Sequence, residues 1–266
     1  MSETHWQALS RELDAWQGED RQLRLWLRDD DAVAPCPALT RLSELAERHG
    51  TPVLLAVIPL QAEPALAPSL RAMPLLLPCQ HGVRHRNHAP AGGKKSEFGP
   101  EREAAVVDRE IALGRDRLRD MLGDDVLPVF VPPWNRIDPG HAARLGRLGF
   151  SGLSCFRNYR HGPGGGPHLL NTHIDVMDWQ GGRIGRRAAN LLPEIAELLA
   201  GRRARGIEPE AALGLLLHHR DHDDGAWAVL DDILAFAAAH PAVRLVDPAT
   251  LLPSSNQART GADGLG

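Results

Sequence analysis

Two histidines four residues apart, His81 and His85, follow directly on an apolar run over 75–79. From one helical turn or one tight loop, two imidazoles at that spacing can grip a single divalent ion. A carboxylate cluster, Asp29, Asp30 and Asp31, follows another apolar run over 23–27. Three adjacent ionised carboxylates repel one another once water is removed, and a cation or a shared proton relieves that repulsion. Two imidazoles and a carboxylate leave a coordination position open, which is the pattern of a catalytic zinc site and not of a structural one. A His pair alone carries little weight among 13 His, and a solvated turn is the plain alternative for the acids. Their places after separate apolar runs strengthen the metal reading. His88, at the next helical spacing, is read as facing its loop, with a further ligand as the alternative.

Three further segments repeat the arrangement. Pro132, Pro133, Trp134, Asn135 and Arg136 follow the run 127–131. Neither proline has a backbone N–H, so Trp134 supplies the first free donor after the run. A stiff turn that aims one N–H into a pocket suits an oxyanion, and the indole face can line a sugar. A rigid turn with a packed aromatic is the alternative. Asp175, Asp178 and Trp179 follow 170–174, with solvated loop acids as the other reading. His218 and His219 follow 213–217. In extended chain they point to opposite faces, one toward a site and one toward the flank. Asp221, His222, Asp223 and Asp224 read as a solvated turn.

The elements that must position these groups alternate along the chain. Strands are predicted over 23–27, 53–58, 75–79, 127–131, 152–154, 170–174, 213–217 and 243–246. Helices are predicted over 37–49, 62–71, 100–122, 139–148, 188–205 and 226–239. Gly50 and Gly123 close two of them, and Asp138 with Pro139 opens another. Repeated βα units imply a parallel sheet covered by helices. With 266 residues, one barrel-like α/β domain of about seven parallel strands is expected over 1–252. A short N-terminal helix is expected over 3–16 and a disordered tail over 253–266. Active sites of such barrels lie at the carboxyl ends of the strands, where the chemical residues fall here. No glycine fingerprint of a dinucleotide fold follows any strand, and Gly164-Gly165-Gly166 reads as a loop. The loops 86–99 and 157–168 are long enough to be functional or mobile.

Composition bounds the partners. The chain is 43% hydrophobic and 24% charged with a net charge of -4, so no basic field exists to hold nucleic acid. No stretch approaches the ~18 apolar residues of a membrane span. The first residues are polar and do not read as a secretory leader. Cys36, Cys79 and Cys155 form no CxxC pair and read as free thiols, so the cytoplasm is the expected compartment. Of the 30 basic residues, only Lys94 and Lys95 are lysine.

The ordered set resembles the polysaccharide deacetylase family, the NodB-homology domain of carbohydrate esterases. That family carries five motifs at strand ends of a distorted (β/α) barrel. Its Thr-Phe-Asp-Asp-Gly is matched by Arg28-Asp29-Asp30-Asp31-Ala32, and its His-x-x-x-His by His81 and His85. Its Arg-x-Pro-aromatic is matched in part by Val131-Pro132-Pro133-Trp134. Its acidic pair before Trp is matched by Asp175, Asp178 and Trp179, and its Leu-x-His by Leu216-Leu217-His218. The resemblance spans about 23–246.

The resemblance implies that Asp31, His81 and His85 hold one divalent metal, zinc being the expected ion, with cobalt, nickel or iron as alternatives. It implies that Asp30 is the base toward the attacking water and that Trp134 N–H shares the oxyanion. His218 is then the acid toward the leaving amine, and Asp178 joins the catalytic set. Asp29 with Asp30 is the alternative base and ligand pair. Pro133, Trp134, Asn135, Arg136, Trp179 and His219 are expected along the substrate. The implied activity is metal-dependent removal of an N-acetyl group from a small-molecule or oligosaccharide substrate. The same site on a cyclic ureide or formamide is a second reading, and a non-catalytic sugar-binding domain a third. The chain departs from the family at Arg28, Asp29, Ala32 and Val131, the last standing where the family has Arg. Arg28 and Arg136 are the candidates to supply that charge.

Overall fold

The computed structural model describes residues 4–208 and 210–253, so all but the first residue of the expected tail lies outside the described residues. The elements in order are α1 (His5–Gly18), β1 (Gln22–Ala32), α2 (Pro37–His49), β2 (Val53–Val57), α3 (Leu66–Arg71) and β3 (Leu76–His81). Then come α4 (Ala104–Leu122), β4 (Val129–Val131), α5 (Pro139–Ala142), β5 (Gly152–Leu153), β6 (His168–Leu169), β7 (Ile174–Asp175), β8 (Met177–Asp178) and β9 (Ile184–Gly185). The chain closes with α6 (Ala188–Ala204), β10 (Glu210–Leu217), α7 (Asp224–Ala239) and β11 (Val243–Leu245). No helix among the described residues is long and apolar enough to cross a membrane.

The class is α/β with a parallel sheet, as the alternation implies. The main sheet has nine strands where about seven were expected, ordered β6-β5-β4-β3-β2-β1-β10-β7, with β11 on β1. The member outside every predicted strand is β6, two residues long and too short to carry a hydrophobic signature. Two compact units divide the described residues: 4–29, 36–53, 172–208 and 210–247, and 30–35, 54–171 and 248–253.

In the first unit, β1 pairs in parallel with β10 over Gln22 to Asp29 and with β11 over Leu23 to Leu25. β7 adds to β10 at Leu215 and Leu216. The amphipathic α1 buries Leu9, Leu13 and Trp16, and the Trp16 indole donates to Leu199 O of α6 at 3.3 Å. A capping box at Thr4 and Gln7 starts α1, satisfying N–H groups that the first turn leaves open. α2 spans the predicted 37–49, with Pro37 at its start and Gly50 in left-handed backbone at its end.

In the second unit, β3, β4, β5 and β6 pair in that order, all parallel. Ile58 N–H donates to Ala32 O at 3.0 Å, so the end of β1 is tied to the chain after β2. The core gathers Val83, Phe98, Val107, Ile111, Phe130 and Phe150. Phe130 meets Phe98 and Phe150 edge to face, with ring centres 5.4 and 5.3 Å apart. Each such buried side chain stabilises the fold by roughly 1.5–3 kcal/mol. Val83 and Phe98 matter most for the site, because each lies within the loops that build it.

Three expected elements differ. β1 runs on through Arg28, Asp29, Asp30 and Asp31, so the acids belong to the strand and not to a turn after it. The expected helix 139–148 breaks into α5 and a 3-10 turn at Leu145–Leu148; Gly140 and Gly146 weaken a continuous helix. The apolar run 170–174 is not one strand. β6 ends before it and pairs with β5, whereas β7 begins at its last residue and pairs with β10.

Candidate metal centre

His81 is the last residue of β3, and its ring is 1% exposed. Its Nδ1 lies 3.0 Å from Val131 O, an acceptor that also takes the Gly82 N–H at 2.9 Å. A carbonyl can only accept, so Nδ1 carries the proton and Nε2 keeps its lone pair for the site. That Nε2 lies 3.2 Å from Asp31 Oδ1, and His85 Nε2 lies 3.3 Å from the same oxygen. One ligand atom from each of Asp31, His81 and His85 falls within 4.8 Å of the others. Burial lowers the His85 pKa, the neighbouring His81 lowers it further, and Asp31 opposes both. A neutral imidazole is the form that ligates. Donor set, tautomer and convergence therefore fit a divalent cation of the zinc, cobalt, nickel or iron group. His88 is not part of the cluster; its N–H donates to Ser96 O.

Unusual backbone brings these groups together. Asp31, His85, Trp134 and Asn135 all have positive φ, at 72°, 52°, 55° and 57°. Non-glycine residues enter that region at a cost, and clusters of them mark sites the surrounding fold enforces. Gly82, at φ 52°, is required twice over. A Cβ there would stand 2.2 Å from Glu97 Oε2 and 2.6 Å from Pro133 Cδ. Pro133, expected on the substrate surface, is thus buried against Gly82 of the His81 to His85 turn.

Trp134 stacks at a tilt on His85, with ring centres 4.4 Å apart, and Lys95 Nζ lies 6.0 Å from the indole centre. Hydrogen bonds from Asn135 N to Pro132 O and from Arg136 N to Pro133 O close the turn. The Trp134 N–H is not among the donors that close it. Arg136 spends one guanidinium N–H on Lys95 O at 2.9 Å, which holds the loop 86–99 to this turn. Asn135 occupies the left-handed turn position beside Trp134, and Asp30 is buried next to Asp31 on β1.

Glu97 is the participant that pattern reading missed. It is 1% exposed and accepts from Val83 N at 3.1 Å and Arg84 N at 2.8 Å. Burial raises its pKa, and the backbone N–H groups oppose that rise. Its only trace in sequence is a lone acid in an otherwise basic loop.

The first unit holds a second group. Asp29 and His219 are fully buried partners: Asp29 Oδ1 lies 2.5 Å from His219 Nδ1, and Oδ2 accepts the His219 N–H at 2.8 Å. His219 was expected along the substrate, but at 1% exposure it is a strand-to-strand clamp. This also bears on the acid register: Asp29 is engaged by His219, whereas Asp31 faces the histidine pair. His218 meets Trp179 edge to face, with ring centres 4.6 Å apart. The Trp179 indole donates to Asp175 Oδ2 at 2.8 Å, and Arg183 lies over its ring at 5.2 Å. Asp178, expected in the catalytic set, instead accepts Gln180 N and Gly181 N and shapes the turn from β8 to β9. Asp175 is the acid that orients the aromatic packed on His218.

No protein-family model matches the chain, and no curated protein matches its sequence. Solved structures do match. A protein from Mycobacterium smegmatis described as a polysaccharide deacetylase superposes with a TM-score of 0.65 at 15% identity, covering 91% of this chain and 92% of that one. The chain has the polysaccharide deacetylase fold. A family 4 carbohydrate esterase from Streptomyces lividans, solved in complex with acetate, covers 87% of this chain and 96% of its own at a TM-score of 0.53 and 15% identity. A PuuE allantoinase superposes at 0.60 with 15% identity, over 87% of this chain and 90% of its own.

Proposed function

We propose that the protein is a metal-dependent hydrolase that removes an N-acetyl group from a sugar-containing substrate of small-molecule or oligosaccharide size. The observation that carries the reading is the convergence of Asp31, His81 and His85 on one point at the end of β3, inside a deacetylase fold. A divalent ion held there would activate water and polarise the amide carbonyl. Asp30, the strand neighbour of Asp31, accepts the proton of the attacking water. The Trp134 N–H, presented by a proline-stiffened turn, donates to the oxygen that gains charge. His218, at the end of β10, gives the leaving amine its proton; Trp179 and Asp175 hold its ring from one side. The His218 and Asp30 roles are supported by their places in the ordered motifs.

Likeness to an allantoinase, together with Val131 where the family motif has Arg, favours a second reading: the same groups acting on a cyclic ureide or formamide. One assay separates the two. Zinc- or cobalt-loaded protein is offered N-acetylated sugars and oligosaccharides, allantoin and formamides, with and without a chelator. Chelator-sensitive acetate release supports the deacetylase. Turnover confined to ureides or formamides moves the assignment to the second reading. No turnover of any of them by metal-loaded protein counts against both.

A further inference from the structure

Gly82, Val83 and Arg84 separate the two candidate histidine ligands, and all three press on one carboxylate. Glu97 accepts the N–H groups of Val83 and Arg84, and its Oε2 fills the space where a Gly82 side chain would begin. The residue is itself rigidly held. Its carbonyl accepts Arg102 Nη1 at 3.2 Å. The preceding Ser96 is bonded through N–H to Asn87 Oδ1 and through O to His88 N. The following Phe98 is fully buried in the second unit's core and bridges Ile137. Val83, in the middle of the turn, is buried in that same core.

We infer that Glu97 is a positioning residue for the metal centre: its buried carboxylate holds the turn that carries His85 so that both imidazoles meet Asp31. The inference rests on the metal-site reading above. His85 has φ 52°, a conformation that a histidine does not favour by itself and that its surroundings must impose. Two consecutive N–H groups bound by one rigid carboxylate impose it, because charge-assisted bonds fix both distance and direction. Replacing one carboxylate oxygen by an amide NH2 leaves one of those N–H groups without its acceptor inside the protein, and the turn relaxes toward other backbone states. His85 then leaves the position from which its Nε2 faces Asp31.

The test is metal binding, which needs no substrate. Apo wild type, Glu97→Gln and Glu97→Asp are titrated with zinc by calorimetry, and the visible spectrum of each cobalt-loaded protein is recorded. Supporting residues behind metal ligands typically change affinity by about 10- to 100-fold. Glu97→Gln is expected to lose affinity in that range with a changed cobalt spectrum, and Glu97→Asp to fall between it and wild type. A folded Glu97→Gln with wild-type zinc affinity and an unchanged spectrum would overturn the inference. So would failure of both variants to fold by circular dichroism, since the residue would then serve the fold alone. Wild type that binds neither metal defeats the metal reading itself, an outcome distinct from wild type and variant binding alike.

Discussion

Asp29, Asp30 and Asp31 have the same side chain and three different surroundings. Asp29 is sealed against His219, Asp30 is buried on β1, and Asp31 faces His81 and His85. Their substitutions should therefore separate. Asp31→Asn is expected to weaken zinc binding by ~100-fold or more, at least the upper range seen for supporting residues. Asp30→Asn is expected to keep zinc and lower kcat by ~10²–10⁴, the usual contribution of a general base. Calorimetry and product release measure the two; the reverse pattern would reassign ligand and base. The ligand types were legible because His-x-x-x-His and clustered acids need each other's charge. Glu97 was not legible, because a carboxylate that binds backbone N–H groups leaves no side-chain partner to recognise.

At the scale of elements, the strand ends are where hydrophobic pattern failed. β1 continues through four polar residues, of which Asp29 is paired with His219 on the next strand, and a pattern of apolar residues cannot register such a pairing. Asp29 is the test. Asp29→Ala leaves the His219 N–H and ring buried without their acceptor, at about 1–3 kcal/mol per lost partner. The protein is expected to lose roughly 2–4 kcal/mol in chemical denaturation. A loss below about 1 kcal/mol would mean that the clamp between β1 and β10 contributes little. The helix α2 was readable to the residue, since apolar periodicity and end residues agree there. The run 170–174 misled, because an apolar segment that passes from β6 to β7 looks like one strand.

At the scale of the molecule, pH and the proposed ion are expected to act on stability. Burial, together with His218 and His219 and against Asp29, lowers the His222 pKa from 6.5 to about 4. Above pH 6.5 the group is neutral folded and unfolded, so it contributes no pH dependence. Between pH 6.5 and 4 the unfolded chain takes a proton that the folded chain refuses, and stability falls. His222 is partly exposed, so the loss is on the order of 1–2 kcal/mol by pH 4. His222→Asn should flatten that part of the stability profile, and an unchanged profile would refute the assignment. Zinc at about 100 times its Kd should raise unfolding free energy by about 2.7 kcal/mol, and a chelator should remove the gain. A melting temperature indifferent to zinc and chelator would argue against a folded-state metal site.

The sequence by itself determined the alternation of strands and helices and the order of chemical residues along it. Both follow from local rules: periodicity selects the element, and a strand's last residues are where side chains leave the sheet. Only the tertiary structure decided which acid faces the His81 and His85 pair, which histidine pairs with Asp29, and that Glu97 bonds the turn between His81 and His85. Those outcomes depend on contacts between segments far apart in the chain. Asp29 meets His219, and Glu97 meets Val83 and Arg84, through bonds whose partners no local pattern names.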